Sequence, residues 1–290
     1  MLLEQLLNGV ILGNTYALIA LGYTMVYGIL ELINFAHGEI YMSGAFFGLM
    51  LVTVLKVPVW LAFPLAMTGA ALLGMIVERL AYRPLRSSPR LSVLISAIGM
   101  SIFLQNLALA LAGPATRPFP RPFAVRTFTL PGNVTVSTLQ IIIILVSIIL
   151  MLGLHFLITK TALGRSMRAT AQDQEAARLM GISVDRIIAV TFAIGSALGA
   201  AAGILIGIYF NSVDPLMGFQ PGLKGFVAAV LGGIGNIPGA MLGGLLLGLA
   251  EVFGAIYLST YRDAIAFAIL VCILLVKPSG IMGSQVREKV

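Results

Sequence analysis

KTALGRSMRATAQDQEAARLMGISVDR, residues 160–186, decides how the chain is read. Eight of its 27 positions are charged: Lys160, Arg165, Arg168, Asp173, Glu175, Arg178, Asp185 and Arg186. Apolar runs at 139–159 and 186–209 flank it, each about 20 residues long and so able to cross a bilayer. The stretch is rich in Ala, Gln, Glu and Arg, which favour helix. Gly164 opens it, and Gly181 stands where a left-handed C-terminal cap belongs. The expectation is one short polar helix over about 164–181, tethered at both ends to membrane spans. Ala169, Ala176 and Ala177 lie on a face of small side chains that lets another surface approach closely.

The rest of the chain agrees with a membrane setting. Of 290 residues 59% are hydrophobic and only 10% charged, with a mean hydropathy of +1.03, whereas soluble domains carry about 25% charged residues. Runs of this length predict an all-α, polytopic helical membrane protein with about eight hydrophobic elements, in one transmembrane domain over 1–290. Alternating ten-residue segments, the mark of a membrane barrel, do not occur. MLLEQLLNGVILG at the start has no basic region and no small-residue cleavage site, so no removable signal is expected. The net charge of +7 fits basic cytoplasmic loops better than nucleic acid. Cys272, the single cysteine, excludes an internal disulfide and a cysteine metal cluster.

Two basic clusters fix the sides. ERLAYRPLRSSPR, residues 78–90, carries Arg79, Arg83, Arg86 and Arg90 between two spans, which places it in the cytoplasm together with residues 160–186. Glu78 beside Arg79 reads as an interfacial pair. The loop over about 113–136 then falls outside. Pro114, Pro118, Pro120 and Pro122 favour extended backbone there, although Arg117, Arg121 and Arg126 count against an external position. Ser137 with Gln140 has capping-box spacing, and Ser183 with Asp185 suits a helix start.

Two zones break the apolar pattern. In the first, Glu31, Asn34, His37, Gly38 and Glu39 interrupt it, and residues 40–55 are short for a crossing. In the second, GGIGNIPG (232–239) with Gly232, Gly233, Asn236 and Pro238 predicts a helix broken in two. Broken helices at membrane depth are tolerated only inside protein or beside a wet cavity. Each zone follows the first span of a half, which hints at an internal repeat of the kind transporters use. Glu251 sits alone in LLLGLAEVFGAIYL, where an acid is costly; it either pairs with a buried base, lines a path, or snorkels to the interface. Asn34, His37, Glu39, Gly232, Gly233, Asn236, Pro238 and Glu251 are therefore the candidate translocation-path residues. His37 and Glu39 could ligate a metal, but the only other histidine, His155, is far away in an apolar span, so none is expected. No catalytic constellation occurs. Gly222-Leu223-Lys224-Gly225 lacks the spacing that cradles phosphate, so any ATP must be handled by another chain.

Glu175-Ala176-Ala177 followed by Gly181 resembles the coupling-helix motif of ABC importer permeases. NGVILGNTYALIALGYTMVYG, INFAHGE, ERLAYRPLRSS, LISAIGMSIFLQN, DRIIAVTF and AAVLGGIGNIPGAMLGG extend the likeness over nearly the whole chain. Together they resemble the branched-chain amino acid permease family, LivH type, with the proline-rich loop as the main departure. The resemblance implies a homologous LivM-type permease, two ATP-binding subunits and a periplasmic binding protein, in the bacterial inner membrane. Leucine, isoleucine and valine are the implied cargo, with no cofactor on this chain itself. It also implies that Gly164, Arg165, Arg168, Glu175, Ala176, Ala177 and Gly181 couple the permease to the ATPase. A permease for urea or short amides, or a secondary transporter built from inverted repeats, are the alternatives. The proposed path offers amides and glycines more than fixed charges, which suits a zwitterion recognised tightly elsewhere.

Overall fold

A computed structural model describes residues 2–120, 125–130, 134–257 and 259–283. Arg121, Pro122 and the tail beyond Gly283 lie outside the described residues. The helices are α1 (Leu2–Leu30), α2 (His37–Thr53), α3 (Val59–Val77), α4 (Arg90–Ala112), α5 (Thr138–Lys160), α6 (Ala162–Gln172), α7 (Gln174–Leu179), α8 (Val184–Phe210), α9 (Phe219–Gly232), α10 (Ile237–Tyr257) and α11 (Arg262–Val276). Two strands, β1 (Thr127–Leu130) and β2 (Val134–Ser137), form an antiparallel hairpin that pairs Thr127 with Ser137. After α3 the chain runs through a π turn over Glu78–Tyr82 and a 3-10 turn over Arg83–Leu85. Among the described residues seven helices are long and apolar enough to cross a membrane. Two more, α2 and α9, have 17 and 14 residues; at 1.5 Å per residue they rise about 25 and 21 Å, short of a bilayer core of about 30 Å. The element expected to be broken at GGIGNIPG is thus two helices, α9 and α10, parted there as the glycines and Pro238 require.

The least apolar span is the most buried, and the most apolar one is largely exposed. α1 has the lowest hydropathy of the seven spans, 1.4, and 94% of its apolar window is buried; α5 has the highest, 3.1, with 28% buried. Lipid is as apolar as leucine, so a helix facing lipid becomes uniformly greasy. A central helix instead packs through small and polar residues. α1 and α8 are those central helices. At Gly13 and Gly248 α1 meets α10 so closely that a Cβ on Gly248 would lie 2.2 Å from the Gly13 nitrogen. Gly248→Leu is accordingly expected to prevent stable assembly. Membrane yield and monodispersity in detergent should fall sharply against Gly99→Leu, whose site has nothing within 4 Å; equal yields would show that the contact is dispensable.

The hinted repeat is present in the packing, with reversed direction. α1–α4 and α8–α11 each run as a long helix, a short one, and two further spans. α1 packs on α10 as α8 packs on α3, and α9 packs on α1 as α2 packs on α8. The short helices begin against each other: a Cβ on Gly38, at the start of α2, would lie 2.5 Å from the carbonyl oxygen of Gly218, just before α9.

The same contacts settle the side of the N-terminus. Glu4 of α1 reaches Thr135 in β2, and the Asn8 side-chain oxygen accepts from Gln140 (3.4 Å) and Tyr209 (3.2 Å). At the other end Gln174 donates to the Ile29 carbonyl (3.1 Å), and Glu31 pairs with Arg90 (2.7 Å). The start of α1 therefore shares the hairpin face, opposite the two arginine clusters, and by the positive-inside rule it lies outside.

Local chemistry explains most boundaries. Ser137 and Gln140 form the expected capping box on α5. Ser183 makes no side-chain cap on α8. Asp185 is instead drawn to the arginine loop, where Arg83 and Arg86 each donate to it at 2.7 Å. Glu78 is not paired with Arg79: it is buried, and its carboxylate takes Arg86.

Candidate functional site

Three separate places hold the predicted site residues. The cytoplasmic element is two helices rather than the single one expected over 164–181. Asp173 adopts extended backbone (φ −159°, ψ 114°), which ends α6, and its carboxylate accepts from the Glu175 and Ala176 N–H groups (2.8 and 2.9 Å) to cap α7. A short acid offered two free backbone donors competes well with helix continuation. Thr161 caps α6, its hydroxyl accepting from the Gly164 N–H at 3.1 Å. A Cβ at Gly164 would lie 2.2 Å from the Ile158 carbonyl, so the tight α5–α6 turn excludes any side chain there. Arg168 donates to that same carbonyl, while Arg165 is exposed.

α7 ends as the sequence suggests. Gly181 has φ +83°, its N–H donates to Arg178, and the Ile182 N–H donates to Ala177, the two bonds of a Schellman cap. The alanine face divides. Ala177 is 4% exposed and turned into the protein, whereas Glu175 and Ala176 face out. The most exposed apolar side chains of the element are two the sequence reading passed over, Leu179 (89%) and Met180 (82%). Their signal was a Leu-Met pair set immediately before a left-handed glycine, which aims both outward.

The second place is the start of α2. Asn34, His37 and Glu39 are all buried there. The Asn34 side-chain oxygen accepts from the Ala36 N–H (3.2 Å) and the Tyr82 hydroxyl (3.1 Å), so it holds the irregular segment before α2. His37 stacks edge-on against Tyr23 at 4.9 Å. Glu39 lies 3.5 Å from the Ser101 hydroxyl.

The third place splits into two ends of α10. At its start Gly232, Gly233, Asn236 and Pro238 form the break. Asn236 caps α10 by accepting from the Gly239 N–H (2.9 Å), and Pro238 sits in the first turn, where its missing N–H costs nothing. Gly233 has φ +106°. The carbonyls of Leu231 and Gly232, freed by the end of α9, accept from Ile281 and Met282 at 2.9 Å each. The segment after α11 thus completes the broken helix. At the other end Glu251 is fully buried and does not snorkel. It accepts from Tyr16 (2.8 Å), Lys224 (2.8 Å) and Arg262 (2.5 Å), and Lys224 also meets Asp263 at 2.6 Å. Lys224, Arg262 and Asp263 were not singled out from the sequence as members of the network around Glu251. A lysine within a membrane-depth helix is as anomalous as Glu251, and that signal was available.

The sequence of this chain has its match among known proteins. A family model described as "Branched-chain amino acid transport system / permease component" matches residues 5–274. This chain belongs to that permease family. It is 47% identical to the high-affinity branched-chain amino acid transport system permease protein LivH of Escherichia coli K12, over 99% of this chain and 97% of that one. It is also 47% identical to BraD, the corresponding permease protein of Pseudomonas aeruginosa, over 99% and 98%. Among solved structures it is similar to PsaBC from Streptococcus pneumoniae in complex with Fab, with a TM-score of 0.49, 13% identity, and coverage of 94% and 91%. The chain is thus a membrane transport component rather than a catalytic subunit. The readings as a urea or amide permease, or as a secondary transporter, find no support among these relatives.

Proposed function

We propose that this chain is one of two permease subunits in an ATP-driven importer of leucine, isoleucine and valine in the bacterial inner membrane. The observation that carries this reading is 47% identity, end to end, to permeases named for that transport. A homologous LivM-type permease completes the translocation path, two ABC ATPases supply the energy, and a periplasmic binding protein delivers the amino acid. The permease itself holds no cofactor. ATP binds to the partner ATPases and their closure reaches this chain through α6 and α7. Leu179 and Met180 are the anchors of that contact, with Ala176 and Glu175 beside them, while Gly164, Arg168, Ala177 and Gly181 hold the element in shape. Arg165 lies on the exposed side and meets the ATPase surface.

The path passes the polar breaks. Asn34, His37 and Glu39 stand at the start of α2, Gly232, Gly233, Asn236 and Pro238 at the start of α10, and Glu251 near the outer end of α10. The test is uptake into proteoliposomes holding the four-part membrane complex. Leucine accumulation is expected to require ATP and the binding protein, to survive collapse of the proton gradient, and to be competed by valine but not by urea or short amides. Uptake that follows the proton gradient, or competition by urea alone, would overturn the proposal.

A further inference from the structure

Between the middle of α1 and the outer end of α8 lies a cavity of about 430 Å³, bordered also by α9 and the turn between α10 and α11. Its walls divide by chemistry. Leu12, Ile206, Phe210 and Pro221 supply the apolar part of the lining, and Lys224, Glu251, Arg262 and Asp263 the charged part. Tyr41, fully buried, is also among the lining residues, and its hydroxyl has no hydrogen-bond partner among the described residues. The charged side is graded in depth. Glu251 and Lys224 are almost wholly buried, at 0 and 7% side-chain exposure, whereas Arg262 (41%) and Asp263 (53%) stand at the mouth.

Two cations and two anions make this wall neutral. A ligand of single charge entering it would leave one protein charge desolvated and unpaired, which is heavily penalised. A zwitterion leaves the balance intact. Its carboxylate can take Arg262 and its ammonium Asp263, the two groups free to turn outward, while Glu251 and Lys224 keep each other. We infer that this cavity is an outward-facing binding site for the ammonium and carboxylate of an α-amino acid, with its aliphatic side chain laid on the apolar wall. The inference rests on the amino-acid cargo proposed above and gives that cargo a station on this chain. A buried ion network serving only as a staple does not need a cavity beside it with two of its charges at the mouth.

The test uses the assembled complex with Cys272→Ser and a reporter at the mouth, Ser259→Cys, labelled by a membrane-impermeant thiol reagent. High-millimolar leucine should slow labelling by about threefold or more, the factor 1 + [L]/Kd at twice the Kd. The single-charge analogues 4-methylpentanoate and 3-methylbutylamine should not slow it, and Asp263→Asn should remove the protection by leucine. Wild-type leucine uptake is measured in parallel. If uptake is normal but leucine gives no protection, or the single-charge analogues protect as well, the site is wrong and the transport reading stands. If the complex imports no leucine, the transport reading falls and this site falls with it.

Discussion

Replacing Leu179 and Met180 together by aspartate is expected to abolish leucine uptake while the permease still folds and inserts. Both side chains are exposed, at 89% and 82%, so nothing inside the chain depends on them. Truncating a residue that acts as a central interface anchor costs about 2 kcal/mol or more, and every 1.4 kcal/mol is about tenfold in affinity. Two such losses, with two carboxylates added to a dry contact, should separate the permease from its ATPase. ATP hydrolysis by the assembled complex should lose its stimulation by loaded binding protein. The alanines separate docking from folding. Ala176→Trp, on the exposed side, should uncouple in the same way. Ala177→Trp, turned inward, should instead lower the yield of folded permease. Gly181→Val places a β-branched residue at φ +83°, a left-handed conformation that costs an L-residue about 1–2 kcal/mol. Normal uptake by the Leu179/Met180 double variant would show that the ATPase docks elsewhere.

Glu251→Leu is expected to be the most destabilising substitution at the outer end. It removes the group on which Tyr16, Lys224 and Arg262 converge and leaves the Lys224 ammonium buried beside only a half-exposed Asp263. Breaking a buried pair by deleting one partner costs about 3–5 kcal/mol, whereas replacing both partners by apolar residues is often neutral. The double variant Lys224→Met/Glu251→Leu should therefore recover most of the lost thermal stability of the purified complex. It should not recover uptake, because Arg262 and Asp263, which lose Glu251 and Lys224 as partners, would then pair with each other across the mouth rather than with a zwitterion. Recovery of both would make the network a staple and nothing more, and recovery of neither would mean that the pair is not the source of the stability.

Much of this molecule was legible in its sequence. The composition set the class, the arginines of 79–90 and the charges of 160–186 set the sides, and GGIGNIPG marked the broken helix. These are local properties: transfer free energy, loop charge and backbone freedom act on a few adjacent residues, so a linear reading reaches them. Capping was local as well, which is why Ser137 with Gln140 was read correctly. Asp173 shows where local reading stops, because good helix formers surround it and the side chain's competition for the α7 donors decided the break.

What only the tertiary structure decided was which faces turn inward and what they meet. Ala176 and Ala177 are adjacent and chemically identical, yet the rotation of α7 against the protein buries one and presents the other. Tyr16 and Glu251 are 235 residues apart, and no periodicity connects them; the close glycine contact of α1 with α10 puts them on one level. Lys224 looked like a failed phosphate motif until packing placed its ammonium on that carboxylate. The sequence by itself determined that this is a membrane permease with a charged helical segment between two spans and a broken helix, because burial in lipid is written residue by residue. Helix rotation and crossing are collective outcomes of packing, and they alone determined which charges meet around the outer cavity and which side chains of α7 face out.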